Sequence, residues 1–172
     1  MKATSIPLSS GQSLAVALGG TVLAATLART LAPSPKQGAT KTWYDRLDKP
    51  AFQPPQKAFG PVWMALYAST AVGAWRILKA PPSPARSKAL SLWTAQLGLN
   101  AVWSKLFFGE RRGKASLVDS ASSLIDSAAL TYYAAKVDKP AALMFAPMVG
   151  WLALATGVNE EVWRRNPRAF RD

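Results

Sequence analysis

Five apolar segments of about twenty residues constrain the fold of this chain more than any other feature of its sequence. They cover residues 11–32, 59–78, 89–108, 115–135 and 141–163. A helix of about twenty residues spans the hydrocarbon core of a bilayer. Because lipid offers no hydrogen-bond partner to a backbone amide or carbonyl, a segment that crosses it must be helical. The pattern predicts an all-α membrane protein, a bundle of five transmembrane helices in one domain over residues 1–172.

The charged residues are gathered between these segments. They make up 17% of the chain, with a formal net charge of +12. Basic residues that flank membrane spans set topology and contact anionic lipid head groups. No basic patch interleaved with aromatic residues lies outside the spans, which argues against nucleic acid as a partner. We therefore expect membrane lipid, and not nucleic acid, around the basic ends of the helices.

The chain contains no cysteine and no histidine. This excludes disulfides, metal sites built on those side chains, a catalytic imidazole and a thiolate nucleophile. We predict no catalytic residue, no metal site and no required cofactor.

The basic residues also predict an orientation. Counted by side, seven of the 21 Lys and Arg lie with the N-terminus and the second and fourth connections, and fourteen lie on the other side. The positive-inside rule then places the C-terminus and the long first connection in the cytosol. The sequence leaves the membrane open: the mitochondrial outer membrane or an endomembrane in a eukaryote, or the inner membrane in a bacterium.

The first connection, residues 33–58, is the one long connection between spans. Its five prolines keep most of it from being regular helix, although a short helical turn near Thr42–Leu47 fits the pattern. A proline-rich amphipathic loop at the mouth of a membrane bundle is typical of a lid. The residues that we assign to this lid are Trp43, Lys49, Pro50, Pro54 and Pro55.

Two amides and a tryptophan share one face of the third segment. Gln96, Asn100 and Trp103 stand at positions i, i+4 and i+7. Buried amides need partners, so they either join helices by hydrogen bonds or line a ligand cavity, and the sequence favours neither. Trp151 lies too deep in the fifth segment for an interfacial aromatic belt. It suits packing or the face of a planar ligand.

A recognisable series of residues runs along most of the chain, in order and with compatible spacing. It consists of Trp43-Tyr44, Lys49 to Pro55, Phe59 to Trp63, Leu66-Tyr67, Gln96-Leu97, Leu99-Asn100, Trp103, Phe107 to Gly109, Leu117 to Asp119, and Trp151 through Asn159 to Arg164. In these residues the chain closely resembles the TspO/MBR family. That family comprises the tryptophan-rich sensory proteins of bacteria and the translocator protein, or peripheral-type benzodiazepine receptor, of eukaryotes.

The resemblance implies a five-helix bundle, often a homodimer, with a cavity under the first loop. It implies binding of porphyrins such as protoporphyrin IX and haem, and in eukaryotes of cholesterol and benzodiazepine-type drugs. By position, the residues that it implies for the pocket are Trp63, Gln96, Asn100, Trp103, Trp151, Ala155 and Val158.

The chain departs from the family pattern at three positions. Glu160 stands where the sterol-recognition stretch requires a tyrosine, Phe52 where many members have tryptophan, and Lys105 where most have proline. Such sterol motifs are weak even when intact. The first departure therefore argues against tight sterol binding at that stretch.

Four functions remain open from the sequence. The one we favour is a membrane protein that binds porphyrin, haem-like or sterol-like ligands and acts in their transport, sensing or sequestration. The alternatives are a light-dependent porphyrin-degrading enzyme, a structural scaffold, and a proton-coupled carrier that uses Asp119 or Asp126, which share a face of the fourth segment.

Overall fold

The computed structural model of the chain describes residues 9–172, so Lys2, which was counted for orientation, lies outside them. All regular secondary structure in this range is helical, which confirms the all-α prediction. The helices are α1 (Ser10–Leu31), α2 (Gly38–Asp45), α3 (Gln56–Lys79), α4 (Pro84–Ser104), α5 (Gly113–Ala135) and α6 (Lys139–Arg165). A π-helical turn, Lys105–Gly109, extends α4, and a 3₁₀ turn, Pro167–Ala169, follows α6.

Polar N-cap residues allow several helices to begin before the predicted apolar segments. Ser9 and Gln12 form a reciprocal capping box at the start of α1. The Ser83 hydroxyl accepts from the Arg86 amide, and Pro84 occupies the first helical position of α4. An apolar run of bilayer length marks only the part of a helix that lipid covers, and the capped ends lie outside it. The helices are therefore longer than the predicted spans at these ends.

The five long helices form a closed ring. α5 packs against α4 and α6, α3 packs against α6, and α1 closes the ring against α3 and α4. Close approaches occur where glycine faces an aromatic ring. A Cβ on Gly73 would lie 2.9 Å from the Phe145 ring, and one on Gly20 would lie 2.9 Å from the Trp93 ring. Small residues thus set the spacing between helices.

Two of the described helices are long and apolar enough to cross a membrane by length and composition: α1 and α6. The outer surface of α1 carries exposed apolar side chains along its whole length, including Leu14, Leu18, Val22 and Leu31. A water-soluble domain rarely exposes so large a contiguous apolar surface.

The first connection contains more helix than the sequence predicts. α2 begins at Gly38, four residues before the predicted turn, and α3 begins at Gln56. Gly38 has a φ of +58°, a left-handed conformation that glycine adopts without strain. Because α3 starts early, Pro61 lies in its second turn. There it removes only one backbone hydrogen bond, close to the exposed end of the helix.

We expect Asp138→Ala to lower the free energy of unfolding by about 1 kcal/mol. The Asp138 carboxylate accepts from the Ala141 amide at 2.7 Å and so caps α6. It also accepts from the Arg76 guanidinium at 2.9 and 3.0 Å. Unfolding of the purified protein in mixed micelles measures the loss. Asp138→Asn is the matched control, because it keeps the cap and removes only the partly exposed ion pair, which contributes less.

The contribution of the Asp138–Arg76 pair to stability depends on pH in a defined direction. The hydrogen bond from Arg76 lowers the pKa of Asp138 below its usual value, and the amide of Ala141 acts in the same direction. A lowered carboxyl pKa contributes stability above the unfolded pKa of about 4 and loses it as pH falls through the folded pKa. Acid should therefore destabilise the wild type more than Asp138→Asn. Identical acid sensitivity of the two proteins would contradict this account.

Candidate functional site

The first loop lies across one end of the helix ring. Tyr44 and Leu47 are buried there in a cluster with Phe107, Val162 and Phe170. Tyr44 belongs to α2 and Leu47 to the loop after it, whereas the other three belong to the π-helical turn, α6 and the C-terminal segment, so the cluster joins the first loop to three later parts of the chain.

Trp43 fixes α2 to the C-terminal segment. Its indole N–H donates to the carbonyl of Ala169 at 3.1 Å. Its ring makes edge contacts with Phe107 and Phe170, with centroids 5.8 and 5.6 Å apart. The lid residue Trp43 is thus held by both polar and apolar contacts.

Asn166 holds the next part of the loop. Its Oδ1 accepts from the Asp48 amide at 2.9 Å, and its Nδ2 donates to the Asp48 carbonyl at 2.8 Å. The same Nδ2 donates to the Val162 carbonyl at 2.8 Å. The Asn166 side chain therefore hydrogen-bonds to both the backbone N–H and the backbone carbonyl of Asp48, which lies 118 positions earlier in the chain. Sequence reasoning did not identify Asn166.

The lid residue Lys49 is turned toward the loop itself. Its ammonium donates to the Leu47 carbonyl at 2.9 Å and lies 4.8 Å from the centre of the Tyr44 ring. Burial lowers the pKa of Lys49, and burial raises the pKa of Tyr44. Pro50 is buried beside them, while Pro54 and Pro55 lead into α3, whose N-cap is Pro55.

Beneath the loop, α3 and α6 bring together two of the tryptophans implied for the pocket. Trp63 and Trp151 meet edge to face at 6.3 Å, and Phe59 meets Trp151 at 5.4 Å. They pack around a small buried cluster of Leu66, Met148 and Leu152. Trp63 also lies 5.5 Å from Tyr67.

The amides of α4 find partners within the bundle. Gln96 Nε2 donates to Asn100 Oδ1 at 3.2 Å, and the Trp103 indole donates to Asn159 Oδ1 at 2.9 Å. Asn159 was part of the family resemblance but was not assigned to the pocket. A signal for it exists, because it lies four residues after Ala155 and so shares the face of α6 that the resemblance assigns to the pocket.

Among the interior polar atoms that have no hydrogen-bond partner within residues 9–172, four belong to residues implied for the pocket or to Asn159. They are Gln96 Oε1, Asn100 Nδ2, Trp151 Nε1 and Asn159 Nδ2. The three amides are at most 6% exposed. A buried polar atom without a partner costs about 1–3 kcal/mol, so native proteins normally give it one.

The predicted pocket residues fall into separate groups. Trp63 and Trp151 pack around the α3–α6 cluster, whereas Trp103 and Val158 pack under the loop with Phe107. Ala155 is half-buried on α6 between them. A cleft of about 580 Å³ lies elsewhere, between α2 and the C-terminal segment.

Comparison with known proteins decides the family. A sequence model of the TspO/MBR family matches residues 17–164. The chain belongs to the TspO/MBR family. The translocator protein of Homo sapiens is 36% identical to it over 126 residues, which are 72% of this chain and 75% of the human protein. The match confirms the resemblance found in the sequence and makes the chain a member of a membrane protein family.

Bacterial relatives within TspO/MBR are nearly as similar. The tryptophan-rich sensory protein of Cereibacter sphaeroides is 33% identical over 124 residues, covering 72% of this chain and 77% of that protein. Protein CrtK of Rhodobacter capsulatus is 34% identical over 129 residues, covering 73% of this chain and 79% of that protein. The likeness therefore extends to both the eukaryotic and the bacterial branch.

The two carboxylates of α5 belong to this TspO/MBR interior. Asp119 is buried and Asp126 is half-buried, and the Oδ2 atom of each has no hydrogen-bond partner among the described residues. The Ser120 hydroxyl, one residue after Asp119, is hydrogen-bonded to Thr156 of α6 at 2.8 Å. In residues 9–172, no group of three or more carboxylates could hold a metal ion.

Proposed function

We propose that this TspO/MBR protein binds a porphyrin, haem-like or sterol-like ligand in the interior beneath the first loop. In this proposal it acts in the transport, sensing or sequestration of that ligand. The pocket consists of the residues that the resemblance implies, Trp63, Gln96, Asn100, Trp103, Trp151, Ala155 and Val158, together with Asn159.

The observation that carries the proposal is the set of unpaired polar atoms among aromatic rings. Ligand sites are mostly apolar, with a few polar groups that fix orientation. Trp63, Trp103 and Trp151 provide flat apolar surface, while Gln96 Oε1, Asn100 Nδ2 and Asn159 Nδ2 provide unused hydrogen-bonding capacity. A pyrrole N–H of the ligand would donate to Gln96 Oε1, and a carboxylate, an unprotonated ring nitrogen or a hydroxyl oxygen would accept from Asn100 Nδ2 and Asn159 Nδ2.

The aromatic side chains are in contact with one another, so a flat ligand must separate them. Trp63 and Trp151 make one edge contact, and Phe59 lies on the other side of Trp151. In the proposal, α3 and its loop move away from α6 to admit a ring between them. The loop then closes over the ligand as a lid.

We further propose that all five long helices cross the membrane, with the C-terminus in the cytosol. The remaining three, α3, α4 and α5, contain 21 to 24 residues each, enough to span the hydrocarbon core. The buried polar side chains of these helices lie within the ring, among them Thr70, Gln96, Asn100 and Ser123. The family likeness also suggests a homodimer, with an exposed apolar face of the ring as its interface.

Titration with protoporphyrin IX in the dark tests whether the protein binds a porphyrin in this pocket. We expect saturable quenching of tryptophan fluorescence in the wild type and about tenfold weaker binding in Trp63→Phe and in Trp151→Phe, since each loses aromatic area. Trp75→Phe is the matched control. Trp75 lies at the end of α3 away from the first loop, where its indole donates to the Ser10 carbonyl.

The outcomes separate the alternatives. Equal affinity in all three variants would place the porphyrin outside the proposed pocket. An absence of saturable quenching in the wild type would exclude porphyrin as the ligand. The same titration with a fluorescent sterol would then distinguish a sterol-binding protein from a scaffold without a ligand.

A further inference from the structure

A cleft lies on the outer side of the first loop, away from the pocket proposed above. It measures about 580 Å³. Residues of α2, the turn between α4 and α5, and the C-terminal segment line it, among them Thr42, Trp43, Arg46, Arg111, Asn166 and Ala169. Two arginines therefore approach one cleft from different parts of the chain.

Arg46 and Arg111 are the cations of this end that lack a carboxylate partner within residues 9–172 and also line the cleft. Three neighbouring carboxylates are already engaged with other cations. Asp45 pairs with Lys41, Asp48 lies 3.7 Å from Arg165, and Glu110 lies 3.4 and 3.7 Å from Lys105 and Arg112. Of the 21 Lys and Arg in the chain, fourteen were assigned to this side of the bundle. The cleft thus has positive charge that the protein does not neutralise.

Arg111 is held in place. Its guanidinium carbon lies 4.9 Å from the centre of the Trp43 ring. Its backbone adopts a φ of +55°, which is uncommon for a residue with a side chain, and its carbonyl accepts from the Arg171 amide at 2.9 Å. Its position is therefore fixed by the backbone and by the ring, so little side-chain freedom is lost when an anion binds.

We propose that this cleft binds the phosphate group of an anionic lipid. Two guanidinium groups match the several oxygens of a phosphate, and each such hydrogen bond is charge-assisted. The exposed part of Trp43 offers an apolar surface to the glycerol and the first acyl carbons. Tryptophan side chains at membrane interfaces lie at head-group depth, the depth at which lipid phosphates lie.

Lipid retention in nanodiscs tests the proposal. The full chain is placed in phosphatidylcholine nanodiscs that contain a minor fraction of phosphatidic acid, and native mass spectrometry counts the lipids that stay bound. We expect the wild type to retain phosphatidic acid preferentially. Arg46→Gln and Arg111→Gln should each lower this preference about fivefold, and the double variant should lose it.

Arg168→Gln is the matched control, because Arg168 is an exposed arginine at the same end that does not line the cleft. It should keep the wild-type preference. Thermal unfolding of each variant checks the fold. The Arg46 side chain is exposed and makes no hydrogen bond within the described residues, so Arg46→Gln should fold normally. If Arg111→Gln unfolds, the result for Arg46→Gln alone tests the proposal.

Three results would overturn the assignment. Equal retention by the wild type and the double variant would show that no lipid phosphate binds there. Saturable binding of inorganic phosphate in pure phosphatidylcholine nanodiscs, lost in both arginine variants, would assign the cleft to a free anion. Displacement of phosphatidic acid by protoporphyrin IX would assign the cleft to the carboxylates of that ligand.

Discussion

Replacing Gly113 with alanine should lower the free energy of unfolding by about 3 kcal/mol. Gly113 is buried at the first position of α5. A Cβ there would lie 2.2 Å from Cδ1 of Trp163 and 3.0 Å from the ring of Phe170. Both rings belong to the cluster under the first loop, so neither can move without disturbing it. Equilibrium unfolding in mixed micelles measures the loss.

Gly98→Ala is the matched control for Gly113→Ala. Gly98 lies within α4, and a Cβ there would meet nothing within 4 Å. Alanine at an unobstructed helical position should leave stability unchanged or raise it by about 0.5–1 kcal/mol, because the unfolded chain loses freedom. If both variants lose stability equally, steric crowding at Trp163 is not the reason.

The second large effect is expected at Asn166. Asn166→Ala removes three hydrogen bonds, two to the backbone of Asp48 and one to the carbonyl of Val162. We expect a loss of about 2 kcal/mol in the local stability of the loop and at least tenfold faster hydrogen exchange at the Asp48 amide. Hydrogen exchange followed by mass spectrometry or NMR measures it residue by residue.

Gln37→Ala provides the comparison for Asn166→Ala. Gln37 carries an exposed amide side chain at the N-cap of α2, in the same loop, but makes no side-chain capping bond. Its replacement should leave exchange at Asp48 unchanged. Normal protection of Asp48 in Asn166→Ala would show that Trp43 and the buried residues Tyr44 and Leu47 suffice to hold the loop.

The helices could be predicted because each carries its own signal. Apolar runs of bilayer length located all five long helices, and local caps explain the extra residues at their ends, as at Ser83 and Asp138. α2 was harder to locate. Its eight residues are too few for a clear apolar pattern, and it forms where Tyr44 and Leu47 can be buried against α6. That burial depends on tertiary contacts, which local sequence does not encode.

The candidate site could likewise be predicted only in part from the sequence. Helical spacing placed Gln96 and Asn100 on one face, and the structure joins them by a hydrogen bond. Spacing within one helix could not show that Trp63 lies against Trp151, or that Trp103 pairs with Asn159. The family resemblance supplied Trp63 and Trp151 instead. Their role in ligand binding remains a prediction.

The contacts that hold the first loop have a consequence for the order in which the protein is assembled. Asp48 and Trp43 depend on residues 118 and 126 positions later in the chain. A chain that leaves the ribosome from its N-terminus has completed all six helices before Asn166 and Ala169 emerge. These two contacts of the loop can therefore form only after α6 has emerged. Until then, the end of the bundle that the loop covers stays open to the compartment in which the protein is made.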